Sequence, residues 1–211
     1  MKVEALRVIE KVASKIAPGR APSFIEVHVI KALETISAKE GVGRTKLSEI
    51  LGLGGGATRT LVRHLRNEGL IRVSRYGIVL SKFGEKVFSD LRSRIIGEIE
   101  IPKSPLTVGS FNVAVLIRNA AGSVRYGVEQ RDAAIKVGAL GATTLVFSRS
   151  KLIMPGIGED VFRNIQPIYD MLMSQLKPRE NDVIIIGSAN ERRGAEFGAK
   201  AAAFELLKSE K

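Results

Sequence analysis

Apolar residues in the first half of the chain recur three and four positions apart, and glycine and proline break the pattern at short intervals. Leu6, Ile9 and Val12 or Ala13 share one side of a helix expected over 3–16, which Pro18, Gly19 and Pro22 stop. Ser23 and Glu26 have the spacing of a capping box, so a second helix is expected from Ser23, with Val29, Leu33 and Ile36 as its apolar stripe and Gly41 and Gly43 beyond its end. A short helix from about Thr45 to Leu51 turns Leu47 and Ile50 inward. Gly52, Gly54, Gly55 and Gly56 make a turn, and another helix runs from about Ala57 to Glu68 before Gly69. Two short apolar runs, Leu70 to Val73 and Ile78 to Leu80, flank Ser74-Arg75-Tyr76-Gly77 as a hairpin would. Ser81 caps a further helix through about Ile95.

The second half reads differently. Phe111 to Arg118, Thr143 to Phe147 and Asp182 to Ile186 are strand-like, and Lys151 to Met154 can pair back across Ser148-Arg149-Ser150. Helices are expected over 126–137, over 160–176 with Pro167 kinking or splitting it, and over 191–208. Pro102, Pro105 and Gly109 break periodicity between the halves, so the join is placed over 99–109. The expected fold class is α+β: a winged helix-turn-helix domain over 1–98, then a small two-layer α/β domain over 106–211.

Charge sharpens this division. The chain of 211 residues carries a formal net charge of +11. Residues 1–100 hold 18 Lys/Arg against 11 Asp/Glu, and residues 101–211 hold 15 against 11. A basic excess favours a polyanionic partner, because Lys and Arg displace the counterions condensed on phosphates. There is no cysteine, which excludes disulfides, thiolate metal sites and thiol nucleophiles. No apolar run approaches a membrane span and no signal-peptide core opens the chain, so a cytoplasmic protein is expected.

The distribution of arginine on the helix over 57–68 is the sharpest signal. On a wheel of 100° per residue, Arg59, Arg63 and Arg66 fall within about 60° of one another, and Leu61, Val62 and Leu65 lie on a different side. A helix entering a major groove needs such a split, since Arg reaches both phosphates and guanine edges. Thr58 and Thr60 lie on the same helix. Thr45 and Lys46, on the preceding helix, could hold phosphates or simply form a cap. Arg72, Arg75 and Lys82 place more charge on the hairpin and just after it. The bland alternative is a solvated helix face. His64 is expected to be a partly exposed helix residue.

The segments Thr45-Lys46-Leu47-Ser48-Glu49-Ile50-Leu51, Ala57 to Leu65, Glu68-Gly69-Leu70-Ile71 and Gly77 to Ser81 resemble winged-helix regulators. In the second half, Tyr126 to Ile135 and Gly138 to Leu145 resemble the C-terminal domain of archaeal proteins that couple a winged helix to an uncharacterised two-layer α/β domain. That resemblance implies an architecture and brings no ligand or reaction.

Two spots in the second half could bind a small polar molecule. One is Glu129, Arg131 and Asp132 beside Thr143 and Thr144, for which an exposed helix start with its own ion pairs is the favoured reading. The other is Gly187-Ser188-Ala189-Asn190 with Arg192, between a strand and a helix, where backbone N–H groups could hold an anion. There Asn190 as an ordinary N-cap is favoured. No nucleophile–base set and no metal-ligand spacing is visible, and no cofactor is implied. The leading expectation is therefore a non-catalytic regulator that binds double-stranded DNA as a homodimer, with the second domain sensing a small-molecule effector or supplying the two-fold contact. The alternative is a metabolic enzyme acting on a nucleotide or polar metabolite, fused to a winged helix.

Overall fold

The computed structural model describes residues 2–14, 22–39 and 41–210, and divides into two compact units, 1–92 and 93–211. In the first unit α1 (Lys2–Ala13) buries Ala5, Ile9 and Val12. The end expected at Ile16 and the breakers Pro18 and Gly19 lie outside the described residues. Helix α2 (Glu26–Ser37) starts two residues later than the capping-box spacing implies. Ser23 is not its cap. Ile25 holds the N-cap position, and its N–H donates to Nδ1 of His28 at 3.2 Å. Burial of Phe24, Val27, Ile30 and Leu33 fixes the helix, and that hydrophobic contribution outweighs the cap.

Helix α3 (Arg44–Leu51) ends at Gly52, which takes the left-handed conformation at φ 65°. Gly52, Leu53 and Gly54 then lead directly into α4 (Gly55–Asn67). The hairpin β1 (Ile71–Ser74) and β2 (Gly77–Leu80) follows, in register from Ile71 opposite Leu80 to Ser74 opposite Gly77. Val42 adds a bridge to Ile78 through two 3.0 Å bonds. This bridge requires glycine at Gly77: φ is +124° and a Cβ there would lie 2.8 Å from the Val42 nitrogen. Helix α5 (Lys82–Arg92) completes the unit, and Ser81 caps it by accepting from the Gly84 N–H at 3.0 Å.

The second unit begins earlier than the prolines suggest. A strand the sequence reading missed, β3 (Ile95–Glu100), belongs to it. Residues 93–98 therefore leave the first domain, and the expected join at 99–109 is partly strand. Gly97, in the left-handed region, produces an irregularity between Ile96 and Glu98 that breaks the two-residue alternation. The other strands are β4 (Phe111–Ile117), β5 (Gly141–Ser148), β6 (Lys151–Ile153) and β7 (Val183–Ala189). They form one antiparallel sheet in the order β3-β4-β7-β5-β6.

The principal layers are this sheet and the helix pair α6 (Val128–Lys136) and α8 (Arg192–Lys208). Gly187 and Gly198 let the pair sit close: a Cβ on Gly187 would lie 2.3 Å from the Ala195 carbonyl oxygen of α8. Helix α7 (Gln166–Leu176) covers the opposite face with Ile168, Leu172 and Leu176, against Leu116, Leu145, Ile184 and Ile186. Pro167 stands in its first turn, so the proline splits the expected helix into a 3-10 turn (Glu159–Phe162) and α7.

Candidate nucleic-acid interface

Helix α4 is divided by burial as its sequence suggests. Leu61, Val62 and Leu65 are buried, whereas Arg59, Arg63 and Arg66 are exposed. None of the three arginines forms an ion pair with another described residue. The nearest carboxylate in sequence, Glu68, is taken by Lys11 of α1 at 2.7 Å. The guanidinium groups thus keep their charge and their donors for an outside partner.

Two neighbours on the helix depart from expectation. Thr58 is only 1% exposed, and its hydroxyl donates to the Gly54 carbonyl at 3.2 Å, so it cannot contact DNA. His64 is buried, not partly exposed: Nδ1 lies 2.8 Å from the Val12 carbonyl at the end of α1, and the ring stands edge-on to Phe24. A carbonyl oxygen only accepts, so the ring hydrogen sits on Nδ1. Thr60 is half-buried at the border of the arginine face and donates to Gly56 at 3.2 Å.

Helix α3 exposes Thr45 and Lys46, with Lys46 also paired to Glu49 at 3.1 Å, and its first residue Arg44 is exposed as well. Sequence reasoning passed over Arg44, whose signal was a cation opening a helix that has no acidic residue in its first turn. Helices α3 and α4 share this feature: glycine at the N-cap, no side-chain cap and no acid in the first turn. Their amide ends carry the positive pole of the helix with no acid in the first turn and no side-chain cap to neutralise it. Gly55 and Gly56 have positions where a Cβ would meet nothing within 4 Å. On the hairpin, Arg72, Arg75 and Tyr76 are exposed, and the Arg75 guanidinium lies 4.7 Å over the Tyr76 ring. Lys82 is exposed at the start of α5.

Neither spot in the second unit is assembled as a binding site. Thr143 and Thr144 point to opposite faces of β5. Thr143 donates to the Leu106 carbonyl at 2.7 Å, while Thr144 is buried beneath Gly127. Glu129, Arg131 and Asp132 lie on exposed positions of α6, and Arg131 pairs with Asp132 at 3.0 Å. The five residues therefore do not converge. The segment Gly187-Ser188-Ala189 is not a loop: β7 continues through Ala189, paired on both sides as far as Ser188 and with β4 alone at Ala189. Ser188 is buried and accepts from the Val108 N–H at 3.3 Å. Asn190 is exposed and does not cap α8, whose N-cap is Glu191. Arg192 donates to Glu100, and that contact raises its pKa further above the ordinary arginine value. Among the described residues no three His, Cys, Asp or Glu gather as metal donors, and no helix is long and apolar enough to cross a membrane.

A helix pair joined by a tight turn, with an outward row of unpaired arginines and a basic hairpin beside it, has the geometry of a nucleic-acid reader. The first unit matches a DNA-binding family. Residues 29–95 fit the family described as the CggR N-terminal DNA binding domain, a segment that spans α2 through α5. Residues 108–206 fit a domain of unknown function, DUF4443, which covers most of the sheet unit. A solved structure of a hypothetical protein from Pyrococcus horikoshii OT3 is similar over 86% of this chain and 98% of that chain, with a TM-score of 0.64 and 25% identity. No curated protein matches. The chain thus joins a helical DNA-binding domain to a C-terminal sheet domain, in the order the sequence suggests.

Proposed function

We propose that the chain is a transcription regulator whose first unit binds duplex DNA as a winged helix. In this reading α4 enters the major groove, the β1–β2 hairpin is the wing, and the free amide ends of α3 and α4 face phosphates. The observation that carries it is the row Arg59, Arg63 and Arg66, exposed and without a carboxylate partner among the described residues, on a helix whose other side is locked into a core. The match to a DNA-binding domain supports the same reading. Two copies would read two half-sites. The sheet unit senses a small effector or makes the two-fold contact, and the chain has no catalytic role.

Selection of bound sequences from random duplex DNA, repeated at two salt concentrations, tests this. A motif that survives the higher salt is expected. Replacing Arg63 with Ala should weaken binding roughly 5- to 150-fold at a specific site if it reads a base, since a bidentate pair to guanine discriminates by about 1–3 kcal/mol. If it holds a phosphate, the slope of log affinity against log salt should fall by about one. Unchanged affinity and slope in the Arg59, Arg63 and Arg66 variants together would remove the proposal.

A further inference from the structure

Four exposed positions of α6 form a stripe that is complementary to its own reverse. Its inner side, Gln130 and Ala134, is buried. Its outer side presents Val128, Arg131, Asp132 and Ile135, at the i, i+3, i+4, i+7 spacing of a packing stripe. Val128 is 44% and Ile135 48% exposed, large apolar residues left in water at the two ends of that stripe. Between them stand one cation and one anion, half-exposed and, among the described residues, paired with each other. Read from either end, the stripe is apolar, charge, opposite charge, apolar.

Such a surface is complementary to itself. In a two-fold contact every residue i that meets j is matched by j meeting i. An axis passing between Arg131 and Asp132 sets two α6 helices antiparallel, brings Val128 onto Ile135 of the second copy, and brings Arg131 onto Asp132. Both apolar ends leave water and both charges gain an opposite partner. A register displaced by one residue would lose these matches. Val108 and Leu140, also exposed, extend the apolar area beside the stripe, because a Cβ on Gly141 would lie 3.4 Å from Val108 and 4.0 Å from the Arg131 stem. We propose that the outer face of α6 is the two-fold contact through which two copies of this chain pair, with Val128 against Ile135 and Arg131 against Asp132 across the axis. The proposal deepens the dimer element of the regulator reading by naming its surface.

The test is a charge exchange in the full-length chain, read by sedimentation or by light scattering on a sizing column without DNA. The unaltered protein should run as a dimer. In Arg131→Asp two acids face two acids across the axis, and in Asp132→Arg two bases face two bases. Like charges opposed in an interface are strongly unfavourable, so each variant should dissociate roughly 100-fold more readily. The double variant, Arg131→Asp with Asp132→Arg, restores opposite charges and should pair again. An equimolar mixture of the two single variants should form a heterodimer, an outcome that simple damage to the fold cannot produce. Ile135→Lys should be monomeric with the circular dichroism of the unaltered protein. A monomeric unaltered protein, or single variants that pair as it does, would overturn the proposal. Arg63→Ala should remain dimeric, so failure of DNA binding and failure of this surface are told apart.

Discussion

Arg63 and His64 are consecutive residues with opposite surroundings. Arg63 extends into solvent with no carboxylate beside it among the described residues, while His64 reaches across 52 positions of sequence to the Val12 carbonyl and anchors α4 to the end of α1. Replacing His64 with Ala should strand a buried carbonyl and open a gap beside Phe24, at a cost of about 2–3 kcal/mol. Arg63→Ala should stay within about 0.5 kcal/mol of the unaltered protein. Denaturant unfolding of the two variants checks the contrast, and an equal loss in both would mean that α4 is not oriented as described. The arginine face was legible because a periodicity of 3.6 residues needs no knowledge of distant contacts. His64 was not legible, since a polar residue at the border of the apolar arc is buried only if a distant group needs its hydrogen. Thr58 misled for a related reason: its hydroxyl bonds back to its own helix, which lets a polar side chain sit in the core.

At the level of elements, the glycines that open α4 conflict with helix propensity. Gly54, Gly55 and Gly56 take no left-handed conformation, and no neighbour would obstruct a Cβ. Inside the helix, at Gly55 and Gly56, alanine would be the more stable choice, so the fold gains nothing from glycine at those two positions. Close approach of a phosphate backbone to the bare amides gives them a use. Gly55→Ala with Gly56→Ala should raise stability by a few tenths to about 1 kcal/mol per site and at the same time weaken DNA binding. Thermal unfolding and binding anisotropy on the same preparation measure both. If affinity rose along with stability, the backbone approach would be ruled out. The elements that announced themselves were α4, by its helical period, and β4 and β7, by their β-rich apolar runs. β3 was hidden by the irregularity at Gly97, and the start of α2 by a capping-box spacing that the structure leaves unused. The end of β7 was taken for a loop because glycine, serine and asparagine suggest turns, whereas Gly187 is there for close packing of α8.

At the scale of the whole molecule, the division at residue 92 sets most of the charge on the first unit. Residues 1–92 hold 17 Lys/Arg against 9 Asp/Glu, so the first unit carries +8 of the total, and residues 93–211 carry the remaining +3. A boundary at residue 98 would give the first unit the same +8, because the segment from 93 to 98 adds one cation, Arg94, and one anion, Glu98. A polyelectrolyte contact scales with the number of phosphates neutralised, and the salt slope of log affinity is about −0.9 for each. If two copies held together by their sheet units engage one operator, the full-length chain neutralises twice the phosphates of one first unit. A fragment of residues 1–92 keeps every candidate contact and its own core, but loses the surface proposed to couple the copies. It should therefore bind a half-site with about half the salt slope of the full-length chain on the whole operator, and with far lower affinity at equal salt. Titrating both proteins against the same duplex over a range of salt concentrations gives the two slopes. A fragment with the full slope would place the two-fold contact in the first unit, and equal affinity would mean that a single copy reads the site.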